Sequence, residues 1–180
     1  MMMKRLLSLG AAALATLVGG CGDGPSTVPG GTRSPAAWSS FIYATSPGPL
    51  LLEVRGASLD TASPARLARA IAEALAAGIP ARPFTLTTNA AAAAKPNFRI
   101  VVVVGAAPNL DERAICAGRA TMETARIEAA GRIDLIATFC DGESLLSSVR
   151  GWVAKIDGVD DRRFRLLINQ IARELMGEPP

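Results

Sequence analysis

The chain of 180 residues is 49% hydrophobic but only 4% aromatic, and it carries three cysteines and no histidine. Without histidine, a Ser-His-Asp triad, a Cys-His dyad, a His-ligated zinc and an imidazole proton shuttle are all excluded. Its 19 basic and 16 acidic residues give a formal net charge of +3, which taken over the whole chain points to an acidic partner.

Lys4 and Arg5 precede an apolar run over residues 6–18, broken only by Ser8, Gly10 and Thr16 and closed by Gly19-Gly20. A positive start, a short apolar stretch and small residues are the layout of a secretory signal. The run falls short of the roughly 20 residues that a helix needs to cross a bilayer. Val18-Gly19-Gly20-Cys21 resembles the lipobox of bacterial lipoproteins, in which a branched apolar residue and two small residues precede an invariant cysteine. In that family the thiol receives a diacylglycerol, the leader is cut just before the cysteine, and the new amino end is acylated. The resemblance implies that residues 1–20 are a cleaved signal peptide, that Cys21 is the lipidation site, and that the membrane is a partner through that lipid. Two or three acyl chains give stable anchoring where one does not. By the same resemblance Gly22, standing where Asp is absent, favours the cell envelope at the periplasmic face of the outer membrane over the inner membrane.

Cleavage changes the arithmetic. Taking Lys4 and Arg5 from the nineteen basic residues leaves seventeen against sixteen acidic ones, a net of +1. Nucleic-acid binding loses its compositional support, and no RNP motif or zinc-finger spacing replaces it. With Cys21 carrying lipid, Cys116 and Cys140 remain. In an oxidising envelope compartment the pair reads as one disulfide, against the alternative of two free buried thiols. No Cys-x-x-Cys supports redox catalysis.

Cys21 and the Gly-, Pro- and Ser-rich residues 22–37 read as a flexible tether, and residues 38–180 as a single globular domain. As a coil, residues 22–37 would span ~20–25 Å. A short edge strand is expected over residues 41–45, followed by the turn Ser46-Pro47-Gly48-Pro49 and a firmer strand over 50–55. Ser63 caps a helix that Pro64 opens. Its Leu67, Ile71 and Leu75 recur every four residues beside Ala68, Ala72 and Ala76, and Gly78 and Pro80 stop it. Residues 84–87 read as a short strand, and residues 89–95, with five alanines before Pro96, as a loop. Residues 98–104 contain four consecutive valines and predict a central strand covered on both faces. Residues 111–116 suggest one helical turn and 121–127 a strand. Over 132–140, Ile133, Leu135, Ala137 and Phe139 alternate with Asp134, Ile136, Thr138 and Cys140. Asp141-Gly142 is a hairpin turn, and residues 145–156 return as its second strand. The closing helix begins at Asp160-Asp161, with Phe164, Leu167, Ile168, Ile171, Ala172 and Leu175 on one face. The order β-α-β-β-β-α predicts an α/β (α+β) two-layer sandwich, with a mixed sheet of about four or five strands and two main amphipathic helices.

Candidate sites are few. The turn Gly105-Ala106-Ala107-Pro108 follows a buried strand but lacks both phosphate-loop motifs, and Pro108 removes an amide. Asp157, Asp160 and Asp161 cluster without calcium-loop spacing, which favours a turn and helix cap. Arg162, Arg163 and Arg165 form the densest basic group, a candidate surface contact for headgroups or peptidoglycan carboxylates, weighed against a solvated helix face. There is no Gly-x-Ser-x-Gly and no Ser-x-x-Lys. No catalytic residue, cofactor site or metal site is therefore assigned. The sequence reads as a non-catalytic, membrane-anchored binding or envelope-assembly module with an unknown envelope protein partner. The alternatives are a small-ligand or lipid-binding lipoprotein with a pocket between sheet and helices and, behind it, a histidine-independent hydrolase.

Overall fold

The computed structural model describes residues 24–57, 59, 62–120, 131–154 and 156–177. Within them, six strands and four α-helices follow in the order β1 (Ser26–Arg33), α1 (Ala37–Thr45), β2 (Leu50–Gly56), α2 (Pro64–Ala77), β3 (Leu86–Thr87), β4 (Phe98–Val104), α3 (Glu112–Cys116), β5 (Arg132–Asp141), β6 (Ser144–Ala154) and α4 (Arg162–Met176). The strands form one mixed sheet in the order β1-β6-β5-β4-β2-β3. β2 runs parallel to both β3 and β4, and the remaining pairings are antiparallel. The mixed α/β class and the roughly two-layer build are as the sequence predicts, with six strands in place of four or five.

Two expectations at the amino end are corrected. Residues 26–33 are not part of a tether: they form β1, antiparallel to β6, with Ser26 opposite Trp152 and Pro29 opposite Val149. Proline is tolerated here because β1 is an edge strand. The register shifts between Pro29 and Arg33. Gly30 lies in that stretch so close to β6 that a Cβ would overlap Ser148 Oγ. Residues 41–45 are helical, not an edge strand. Ala37, Phe41 and Ala44 are all buried in α1, and their spacing of four and three is the helical period. Among the described residues, regular structure therefore starts at Ser26 rather than at residue 38. The strand expected over 121–127 lies outside the described residues.

The remaining elements follow their sequence patterns. Ser63 Oγ accepts the Arg66 amide at the start of α2, and Leu67, Ile71 and Leu75 bury its apolar stripe. α2 meets α4 closely at Gly78, where a Cβ would stand 2.7 Å from Ala172 Cβ and 2.8 Å from the Asn169 carbonyl. A larger residue there would push the two helices apart. Residues 89–95 contain only a single 3-10 turn, Ala90–Ala92.

The sheet separates two apolar layers. On one face Ile100, Val102 and Val104 of β4 join Ile133, Leu135, Ala137 and Phe139 of β5 beneath α1, α2 and α4. On the other face Val101, Val103, Ile136 and Cys140 pack under Ile115 and Cys116 of α3. The unbroken valine run of β4 is thus buried on both sides, and the alternation of β5 divides as its sequence predicts. Among the described residues, no helix is long and apolar enough to cross a membrane.

Candidate functional site

Sheet polarity gathers several candidate residues at one end of the domain. β2, β4 and β6 run in the same direction, because β5 is antiparallel to both β4 and β6. Their carboxyl ends lie beside the start of β1 at Ser26. α2 and α4 both begin there, joined by an ion pair between Arg66 and Asp160.

The acidic cluster at this end is a helix cap. Asp161 accepts the amides of Arg163 at 2.7 Å and of Asp157 at 3.0 Å, and its second oxygen takes the Arg163 guanidinium at 3.0 Å. The Arg163 guanidinium, helped by the two amides and opposed by burial, holds the Asp161 carboxyl below its usual 3.8, at about 2. Asp161→Ala is expected to cost about 1–2 kcal/mol of stability near neutrality, the range for losing a helix cap. A carboxyl with a depressed folded pKa stabilises fully above its unfolded value. The difference between wild type and variant should therefore shrink as pH falls from 3.8 toward 2. Urea titrations at a series of pH values check this, and a gap that stays flat would contradict it.

The basic group divides. Arg163 is half-buried and committed to Asp161, whereas Arg162 and Arg165 are exposed. The turn after β4 is occupied by the fold itself. The amides of Gly105 and Ala106 both donate to the Asp134 carbonyl, at 2.7 and 3.1 Å, and are not directed at a ligand.

On the second face, Cys116 and Cys140 stand at disulfide distance, with Cα atoms 5.6 Å apart, and link α3 to β5. Two arginines outside the sequence-derived candidates complete this layer. Arg99 donates to the carbonyls of Cys116 at 2.6 Å and Gly142 at 2.9 Å, and pairs with Glu53 at 3.1 Å. Arg150 pairs with Glu112 at 2.8 Å and donates to the carbonyls of Pro108 at 3.0 Å and Leu110 at 2.7 Å. The sequence signal was present in Arg99: a charge inside an apolar strand must find partners.

Two of the open clefts among the described residues flank α2. The first, of about 510 Å³, lies between β2 and the start of α2, with Val54, Gly56, Pro64, Ala65, Ala68 and Thr88 among its walls. Here the sheet has an open edge. The Leu50 amide donates to Thr85 and the Ala57 amide to Val104. By strict alternation, the even residues of β2 then turn their backbone groups toward β3 and the odd ones toward β4. β3 ends at Thr87, and the Asn89 amide turns back to Thr87 Oγ1 at 3.1 Å. The outward N–H and C=O of Val54 and Gly56 therefore have no strand beside them among the described residues. The second cleft, of about 530 Å³, lies between Arg33, Trp38, Ile79 and Glu174 at the far ends of α2 and α4.

A scan against protein-family models finds no match for this chain. A search of curated proteins finds none either. Among solved structures, the dodecamer of a PelC variant from Paraburkholderia phytofirmans aligns over 86% of this chain and 99% of that one, at 12% identity and a TM-score of 0.42.

Proposed function

We propose that the protein is a lipid-anchored, non-catalytic binding module of the cell envelope, and that it takes up an extended segment of a partner protein at the open edge of β2. The observation that carries this reading is the backbone of Val54 and Gly56, which has no strand partner on its outward side among the described residues and faces the cleft beside α2. An extended peptide adds to such an edge through main-chain hydrogen bonds, while pockets for alternate side chains select its sequence. Pro64, Ala65 and Ala68 form the opposite wall, so a bound segment needs small apolar residues on that side. The lipobox-like Cys21 supports the envelope location, and the proposed closed Cys116–Cys140 bridge is consistent with an oxidising compartment.

A photo-crosslinking residue at Ala65 in growing cells is expected to yield a covalent adduct with a partner protein. Val54→Pro removes the outward amide and leaves the β4-directed groups of Glu53 and Arg55 in place. It should abolish the adduct while far-ultraviolet circular dichroism stays unchanged. Ala65→Trp, which fills the cleft, should do the same. Absence of any adduct in both growing and stationary cells would sink the proposal, and an adduct that survives both variants would rule out strand addition.

A further inference from the structure

We infer that the end of the sheet at which β1 begins faces the bilayer, with Arg69, Arg162 and Arg165 resting on anionic phospholipid headgroups of the leaflet that holds the anchor. The inference builds on the lipid-anchor reading of Cys21.

The first support is the length of chain between anchor and fold. Only Gly22, Asp23, Gly24 and Pro25 separate Cys21 from β1. Fully extended, that connection reaches at most about 18 Å. A tether ending at residue 37 would have let the domain turn freely, whereas one ending at Ser26 holds the Ser26 end close to the headgroups.

The second support is the direction of the elements. β1 starts where β2, β4 and β6 finish, and α2 and α4 both point their amino ends the same way. Side chains on a helix lean toward its amino end, which tilts Arg69, Arg162 and Arg165 toward the same side. Two parallel helix amino ends add their partial positive charge.

The third support is the balance of charge at this end. Arg66 pairs with Asp160, Arg132 with Asp134 and Arg163 with Asp161. Arg69, Arg162 and Arg165 are exposed and have no ion-pair partner among the described residues. Among the described residues in the loops at this end, Asp157 is the acidic group outside those pairs, and its amide is held by Asp161. Among the described residues, three uncompensated guanidinium groups stand here against that one loop carboxylate. Basic groups close to a charged leaflet are attracted within about one Debye length, ~8 Å at physiological salt. The opposite end has a useful control in Arg119, exposed beside the β5–β6 turn and 3.8 Å from Glu143.

The test uses the full lipidated protein in phosphatidylcholine vesicles with and without phosphatidylglycerol, and in detergent micelles. Arginine modification by a dicarbonyl reagent is followed peptide by peptide by mass spectrometry. With phosphatidylglycerol present, Arg162 and Arg165 should react about fivefold more slowly than in micelles, the scale set by one basic group at a charged surface. Arg119 should react at the same rate throughout. Arg162→Glu combined with Arg165→Glu should return Arg69 to its micellar rate. Unchanged rates at Arg162 and Arg165 overturn the inference. Equal protection in neutral vesicles also overturns it, since charge would then play no part. Protection found in native envelopes but not in phospholipid vesicles overturns it in favour of a protein covering this end. The same digests report the mass of the Cys21 peptide. A missing acyl group overturns the anchor reading and this inference together, whereas an acylated Cys21 with reactive arginines overturns this inference alone.

Discussion

Replacing Cys116 and Cys140 by serine is expected to lower the free energy of unfolding by about 3 kcal/mol. The two residues are 24 apart in sequence, and closing a loop of that size removes about this much free energy of chain disorder from the unfolded state. The local consequence is sharper than the global one. α3 has only five residues, far below the roughly 12–15 that an isolated helix needs in water. It is held over Val101, Val103 and Ile136 by the cysteine pair, by apolar contact through Ile115, and by the arginines that grip its two ends. Wild type should therefore lose stability on adding reductant, while the double-serine variant should not respond. Amides of α3 should lose protection from hydrogen exchange before those of α2 and α4, because the layer containing these longer helices lies on the other side of the sheet. A urea midpoint that is indifferent to reductant in the wild type would show that the pair is not a closed bond.

What the sequence shows about this fold follows from where each element's pattern comes from. β4, β5, α2 and α4 are legible because their apolar residues repeat with the period of the element and meet a core on the same face. β1 is not, because Ser26–Arg33 contains proline and two glycines and carries no apolar face of its own. Its conformation is imposed by the free edge of β6 more than a hundred residues away, a pairing that local composition cannot reveal. α1 was legible in principle, since Ala37, Phe41 and Ala44 have helical spacing, but Phe41, Ile42 and Tyr43 together favour a strand by propensity. Tertiary burial settled the competition in favour of the helix.

The site residues divide along similar lines. Cys116 and Cys140 could be paired on compartment and count alone, and Asp161 could be read as a cap from its position before an apolar helix. The open edge of β2 could not be seen, because it depends on where β3 stops and on which way the backbone of Val54 faces. The partners of Arg99 and Arg150 leave no sequence motif, because most of them are carbonyl oxygens, which every residue possesses. The correction at the amino end matters most for function. With β1 starting at Ser26 rather than an ordered domain at residue 38, four residues separate Cys21 from the sheet. If Cys21 carries lipid as proposed, a link that short limits how far the domain can turn on its anchor.

Arg150→Ala is expected to cost about 2–3 kcal/mol, somewhat below the usual loss for breaking a fully buried pair because Arg150 keeps some access to water. Its guanidinium meets three acceptors at once: Glu112 and the carbonyls of Pro108 and Leu110. Glu112 is only 12% exposed, and its other oxygen accepts from Ser148 at 2.5 Å. Removing the arginine leaves a shielded carboxylate with one neutral donor from its side-chain partners, and two carbonyls without theirs. Arg150→Lys restores a charge but not the planar fork, so it should recover less than half of the loss. Glu112→Gln keeps an acceptor for Arg150 and should be the mildest of the three. Arg150 and the cysteine pair fasten the same short helix, so their effects should not add. In the double-serine background α3 is already loosened, and Arg150→Ala should cost about 1 kcal/mol less than in the oxidised wild type, within the range of coupling between neighbouring sites. Urea titrations of the four proteins measure that coupling directly. Strict additivity would mean that Ile115 alone keeps α3 docked, and that neither fastening depends on the other.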